Sequence, residues 1–343
     1  MTGADSTPVG GRATMSVTSM QEARRSRARR ASAAAGVGIA AFATSWQLAL
    51  EAAGKSPKTV RSYLDSVKAL QGFLAAQGMP TDVEEVDAKH IRAFILSEEQ
   101  RTSAASAAVH FRNLRVYFGW LAREGERTNA NPMDRVDKPK VTKKAKQFFD
   151  DAELAALLKT CQGASFADRR DTAIFRIFID TGMRVSGLAN LRYDPDDENR
   201  NDVFLTQRKL RLCLKGGDET WVPIGKKTAA ALDRYIRVRA RHSAASSPWL
   251  WLGVQGHNLA HMTDSGVRVM LSRHGEQAGI QNVHPHRFRR SFADQWLAAG
   301  GSIDDLMHIT GWKTYDMVRE YTEARGIARA HDAHARLSPG DRI

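Results

Sequence analysis

Three times between Ser56 and Gly125, large apolar side chains recur at helical spacing behind a residue suited to start a helix. That pattern commits the first part of the chain to a bundle of helices. Ser56-Pro57 offers an N-cap and a first-turn proline ahead of Val60, Tyr63, Leu64, Val67, Leu70 and Leu74, with Gly78 as the stop. Asp87 precedes Ile91, Phe94 and Ile95. Ser103 precedes Val109, Phe111, Leu114, Phe118 and Leu121, and Gly125 closes that run. Such stripes are core faces and specify no chemistry. Arg61, Lys68, Lys89, Arg112 and Arg115 are interspersed with them, and either a groove or solvent suits these side chains.

Asn131-Pro132 ends the helical patterning, and Lys138-Pro139-Lys140, Lys143-Lys144 and Lys146 follow as a basic, poorly hydrophobic connector. The expected organisation is a mobile basic tail over 1–37, a helical domain over 38–136, a linker over 137–147 and a second domain over 148–343. In the second domain, helical patterns cover Asp150 to Leu158 and Thr172 to Asp180 before Thr181-Gly182 breaks the period. From Val203 to Ile224 the composition turns β-favouring, with Lys215-Gly216-Gly217-Asp218 at a turn between strands. Helices resume over Ala229 to Arg241, after Thr263-Asp264, over Ser291 to Leu297 and from Ile303 onward. The fold class is therefore mainly α with a small antiparallel β-sheet in the second domain.

A formal charge of +13 and a pI near 9.9 make a polyanion the natural partner, although basic proteins also bind acidic membranes or simply stay soluble. Cys161 and Cys213 are the only cysteines and lack CxxC spacing, so neither a disulfide framework nor a cysteine zinc site is expected and a reducing cytoplasm fits. Arg24 to Arg30 followed by an Ala-Gly stretch imitates a secretory signal, but the apolar part has no Leu or Phe run. No segment approaches the roughly 20 apolar residues of a membrane span. His284 and His286 find no third ligand at sensible spacing, and His257 and His261 enclose no catalytic glutamate, so no metal and no cofactor is expected.

Chemistry concentrates between His286 and Tyr321. Imidazole, guanidinium, indole and phenol together suit one task, holding the charged oxygens of a phosphodiester while a tyrosine oxygen attacks phosphorus. In chain order the candidates are Arg184 in Thr181-Gly-Met-Arg184, Lys215 at the hairpin turn, His286-x-x-Arg289, Trp312 after Gly311, and Tyr321 nine residues later. His284-x-x-Arg287 satisfies the same two-residue pattern. Tyr315 is a rival nucleophile, and Lys209, Lys226 and Lys227 are rivals of Lys215.

This set resembles the tyrosine recombinases, or phage-type integrases, of the Cre-like and Xer-like kind, over nearly the whole chain beyond the tail. The resemblance implies a two-domain DNA clamp, a helical core-binding domain joined to a catalytic domain. In it Arg184 and Arg289 would clamp the scissile phosphate, Lys215 would protonate the leaving 5′ oxygen, and His286 would manage the nucleophile's proton or hold a phosphate oxygen. Trp312 would donate its indole N–H to a phosphate oxygen, and Tyr321 would be the nucleophile. The proline before His286 and Ser291-Phe292-Ala293 match the family pattern only if His286 and Arg289 are the pair. The implied activity is site-specific recombination through a 3′-phosphotyrosyl intermediate, without metal or ATP, by a tetramer on two double-stranded sites, nucleoid-associated in the cytoplasm. The helix after Tyr321, with Ala324, Ala328 and Ala335 at helical spacing, would dock on a neighbour or lie back on its own subunit. Relaxation of DNA in the manner of a type IB topoisomerase, a catalytically silent DNA-binding regulator and a metal-dependent nuclease remain the alternatives. Two positions depart from the family pattern: Gly187 stands where an acid is common, and Arg290 where His or Lys is common.

Overall fold

The computed structural model describes residues 36–142, 147–213, 219–254 and 259–343, and divides the chain into two units, Met1–Lys144 and Ala145–Ile343. The basic tail up to residue 35, the linker lysines Lys143, Lys144 and Lys146, Lys215 and His257 lie outside the described residues.

In the first unit a short 3-10 turn, Ile39–Phe42, leads into helices α1 (Ala43–Ala52), α2 (Pro57–Ala76), α3 (Ala88–Arg101) and α4 (Ala104–Glu124). The expected caps are in place. Ser56 Oγ accepts from Thr59 N, Asp87 accepts from Lys89 N and His90 N, and Ser103 Oγ accepts from Ser106 N. Gly125 takes the left-handed conformation that ends α4. The apolar stripes meet in one core, where Trp46 stacks on Tyr63 at 5.4 Å and packs against Tyr117 at 4.7 Å. Two polar side chains inside are paired, Asn113 Nδ2 donating to Ser62 O and Ser66 Oγ and the buried Tyr117 hydroxyl to Ile39 O, whereas the buried Trp120 Nε1 and Gln71 Oε1 have no partner among the described residues. Val109 is the exception to the stripe and is exposed.

The second unit runs α5 (Asp151–Lys159), α6 (Phe166–Thr181), α7 (Val185–Ala189), β1 (Val203–Phe204), β2 (Lys209–Cys213), β3 (Glu219–Pro223), α8 (Lys226–Arg239), α9 (Asp264–Ala278), α10 (Pro285–Ala298), α11 (Ile303–Thr310), α12 (Tyr315–Thr322) and α13 (Gly326–Leu337). The strands form one antiparallel sheet in the order β1-β2-β3, with Leu210 opposite Val203 and Val222. Residues 214–218, including Lys215, connect β2 to β3. Phe288 of α10 is the centre of an aromatic cluster, 4.5 Å from Phe149, 5.8 Å from Phe175 and 5.5 Å from Phe178. Arg287 staples the start of the unit to the same helix: its guanidinium donates to Glu153 at 2.6 Å, to Phe148 O at 2.9 Å, and lies 3.8 Å over the Phe149 ring. Among the described residues no helix is long and apolar enough to cross a membrane.

Helix α6 starts six residues before the expected Thr172, capped by Ser165, and α8 three before Ala229; two further boundary differences bear on the site, each with a local cause. α10 begins at Pro285, not near Ser291, because His284 serves as the N-cap, its Nδ1 accepting from Arg287 N at 3.2 Å ahead of a first-turn proline. The C-terminal helical run is cut at Gly311, whose φ of 66° ends α11, and again by a 3-10 turn at Glu323–Arg325. Both differences matter for the site, since they put His286 and Arg289 in the first turns of a helix and Trp312 in a loop.

Leu70 is fully buried in the first unit's core, so Leu70→Ala should cost about 2–5 kcal/mol, the usual range for such truncations. Urea unfolding monitored by tryptophan fluorescence measures this. An unchanged midpoint would contradict the packing described for α2.

Candidate active site

Four of the residues singled out in sequence meet where α10, the α11–α12 loop and α12 converge. Arg289 lies across the Trp312 ring at 4.6 Å and 5.9 Å from the Tyr321 ring centroid, while Trp312 and Tyr321 pack at 4.8 Å. The Tyr321 hydroxyl sits 3.4 Å from His286 Nδ1. On α10 the spacing of His286 and Arg289 places both on one face.

Arg289 is 2% exposed, and among the described residues it has no carboxylate partner. Its Nη1 donates to Gly182 O and its Nη2 to Thr310 O, both at 2.8 Å, and its buried Nε has no partner. Those carbonyls end α6 and α11, where the aligned peptide dipoles concentrate partial negative charge. Burial and the neighbouring Arg184 lower the Arg289 pKa to about 10, against the pull of the Tyr321 phenol, so the group is still cationic at neutral pH. Gly182 is required here twice over. Its φ is 55°, and a Cβ would meet Phe292 Cδ1 at 2.8 Å.

Arg184 is the N-cap residue of α7 and is exposed. Its Nη1 would lie 3.9 Å from a Cβ on Gly311, which puts the guanidinium beside the backbone that leads into Trp312. Arg184, Gly187, Asp202, Arg289, Gly311 and Lys313 all line one cleft of about 870 Å³. Trp312 itself is 4% exposed, part of a small core with Phe292, Leu306 and Val318 that supports α12. The indole is therefore both a wall of the site and a packing element.

The structure separates the two histidine registers. His284 is occupied by the helix cap and Arg287 by Glu153, whereas His286 and Arg289 face Tyr321. It also separates the two tyrosines, because Tyr315 is exposed and donates its hydroxyl to Asp304 at 2.6 Å. Among the lysines, Lys209 places Nζ 3.9 Å over the Trp221 ring, and Lys226 and Lys227 are exposed at the start of α8. His261 stacks on Trp249 at 4.3 Å and lies 3.0 Å from Ala189 O, a structural setting.

Cations that carry no motif also bear on the site. Desolvation of the ring, then the charges of Arg290, Arg289, Arg268 and Arg184, hold the His286 pKa below its ordinary value. Arg268 projects from α9, and only the fold reveals its proximity. Lys313 follows Trp312 directly and in sequence is one more surface lysine. The C-terminal segment is tied back to α10: Arg325 and Arg329 both pair with Asp294, which is 4% exposed, and Arg329 Nη2 donates to Thr322 O. Beyond that anchor α13 buries no side chain, and Ile327 is 76% exposed.

Residues 147–326 match the phage integrase family, and residues 43–125 match the phage integrase N-terminal SAM-like domain. The chain belongs to the phage integrase family. Among its relatives, tyrosine recombinase XerC of Chromobacterium violaceum is 30% identical over 84% of this chain and 92% of its own length. Tyrosine recombinase XerC of Actinobacillus pleuropneumoniae is 29% identical over 81% of this chain and 88% of its own. Among solved structures, a lambda integrase tetramer bound to a Holliday junction shares the fold with a TM-score of 0.64 at 16% identity, over 84% of this chain and 78% of that one.

Lowered by burial and by four guanidiniums, His286 should titrate below about 6.5 in a proton NMR experiment and be neutral at pH 7. Arg290→Gln should move the midpoint part of the way back up. A midpoint above the ordinary value would mean that the ring does not sense these cations.

Proposed function

We propose that this chain is a site-specific DNA recombinase that cleaves and rejoins strands through a 3′-phosphotyrosyl intermediate formed by Tyr321. The observation that carries the reading is the meeting of Tyr321 with Arg289, His286 and Trp312, with Arg289 and Arg184 lining one cleft beside them. Family membership supports it, as do relatives named as tyrosine recombinases.

The chemistry follows from the geometry. A phosphate seated between Arg184 and Arg289 has its non-bridging oxygens neutralised by two guanidiniums, and Arg289 reaches it already oriented by two carbonyls. His286, neutral at pH 7, has a ring nitrogen near the phenol and is suited to take its proton as the oxygen attacks phosphorus. Trp312 has only an N–H to give, so it holds a phosphate oxygen and moves no proton. The leaving 5′ oxygen needs an acid, and Lys215, at the β2–β3 connection, is the residue we assign to it. Because the phosphotyrosyl bond retains the energy of the bond it replaces, an incoming 5′ hydroxyl reverses the attack without ATP.

In this reading residues 38–136 form a DNA-binding domain, residues 148–343 the catalytic domain, and residues 137–147 the connector. Strand exchange needs two paired duplex sites, and the structural neighbour bound as a tetramer to a Holliday junction supports four protomers as the working assembly. The exposed helix α13 offers each protomer a surface for contact with the next. Duplex DNA as substrate makes the cytoplasmic nucleoid the site of action.

A duplex carrying the site found by nuclease protection, nicked so that the cleaved end is lost, should trap a covalent protein–DNA adduct in EDTA. Tyr321→Phe should form none, and Tyr315→Phe should form as much as the parent. Adduct in Tyr321→Phe, or none in the parent, would overturn the assignment.

Lys215→Ala should slow cleavage of ordinary DNA by at least about 10²-fold, the lower range for loss of a general acid. A substrate with sulfur as the bridging 5′ leaving atom, which needs no protonation, should restore the rate. Equal slowing on both substrates would remove the lysine from the proton-donor role.

A further inference from the structure

A second cationic depression lies in the catalytic unit, and the cleavage chemistry makes no use of it. Arg169, Thr172 and Arg176 recur on one face of α6, and Lys227, Ala230 and Arg234 recur at the same spacing on one face of α8. The helices pack side by side in opposite directions: Gly225 N, at the start of α8, donates to Asp180 Oδ2 near the end of α6, and Thr228 Oγ1 lies 3.5 Å from Arg176 O. Between the two rows is a cavity of about 440 Å³. Among the described residues no carboxylate lines it, and none of the four cations has an ion pair or a side-chain hydrogen bond. Arg169 and Arg176 are only partly exposed.

Such an arrangement is costly when empty. Four like charges face one cavity, two of them on partly buried side chains, and among the described residues none is in an ion pair. An anion with several charges would offset the cost. Among the described residues no aromatic side chain lines the cavity, so a base has nothing to stack on, which disfavours a nucleotide and leaves phosphate groups as the recognised feature. Arg169 and Arg176 are about 10 Å apart along the helix axis at 1.5 Å per residue, the rise of roughly three nucleotides of one strand.

We propose that the α6–α8 groove binds the sugar-phosphate backbone of a DNA segment other than the one engaged at Tyr321. The two sites are distinct. No residue lines both cavities, and Arg169 is about 20 Å along α6 from Gly182 by the rise of the helix. This rests on the recombinase reading, and it gives each protomer a second, sequence-independent hold, suited to a duplex in trans or to DNA flanking the exchange site.

The test uses the full chain saturated with its nuclease-mapped site duplex and titrated with a fluorescent 20-base-pair duplex of unrelated sequence. The parent should capture the second duplex. Arg169→Gln combined with Arg234→Gln should weaken capture and lower its salt slope by about 1.8, at about 0.9 for each phosphate no longer neutralised, while adduct formation at Tyr321 is unchanged. The exposed pair Lys227→Gln and Arg234→Gln, which leaves the partly buried arginines in place, should have the same effect and guards against a folding defect in the first variant. No capture by the parent, or capture by both variants as tight as the parent's, overturns the proposal. So does binding of inorganic pyrophosphate or of a polyglutamate peptide to the parent, abolished in the variants, when the second duplex does not bind. Absence of any adduct at Tyr321 would instead sink the cleavage reading, and the second-duplex titration reports independently of it.

Discussion

The guanidinium of Arg289 is the joint on which the catalytic unit depends. A buried cation without a carboxylate survives only if its donors meet acceptors, and here the acceptors are the terminal carbonyls of two helices that have no partner within their own ladders. One side chain on α10 thus satisfies the end of α6 and the end of α11 together, and its flat face carries Trp312, which in turn carries Tyr321. Gly182 makes the joint possible. A side chain there would collide with Phe292 and would displace the carbonyl that Arg289 reads. Backbone conformation, core packing and the geometry of the reacting groups therefore converge at a single position that carries no chemistry itself.

The same joint explains the electrostatics. Arg289 is held close to Arg184, and both bear on His286, so the charged forms of Arg289 and His286 are disfavoured by burial and by these neighbours. A structural network would place an acid among them, as the fold does elsewhere: Asp171 meets Arg170, Arg273 and His274 at 3.0 Å or less, and its carboxyl is held below its ordinary pKa, the opposing desolvation being outweighed by those partners. Around Arg289 the counter-charge is left to the substrate. In the function proposed here, a phosphodiester entering the cleft would relieve repulsion that the folded protein already bears, so binding and charge stabilisation would act at the same atoms.

Much of this was legible in the sequence because the relevant signals are local. Caps at Ser56, Asp87 and Ser103, the break at Gly182 and the alternation over Val203 to Ile224 each depend on a few neighbouring residues, and the helices and the hairpin formed where those signals stood. The start of α10 was not legible, since His284 is an uncommon cap and Pro285 reads equally well as a turn. The choice between His284 and His286 could be made in sequence only by resemblance to a family pattern, whereas the structure gives a physical reason: one is consumed by the cap and the other faces the phenol. Arg268, Lys313 and the Asp294 anchor of the C-terminal segment stayed invisible because nothing local distinguishes them from ordinary surface charges; only long-range packing brings them to the site.

Gly187 shows how far a departure from a family pattern can be absorbed. Space for an acid exists, since a Cβ there would make only ordinary contacts with Leu212 and Met183. No acid takes over the task. Asp202 is the only carboxylate lining the cleft among the described residues, and it is already shared by Arg192 and Arg211, which fasten the sheet to the end of α7. Arg184 therefore has no carboxylate brace among the described residues and is exposed, while Arg289 is fixed before any ligand arrives. The two arms of the proposed clamp differ in kind: one is preorganised by backbone carbonyls, and the other would lose its conformational freedom only when phosphate binds. In the proposed function, that asymmetry would give the orientation of the phosphate to Arg289 and leave Arg184 to close on it.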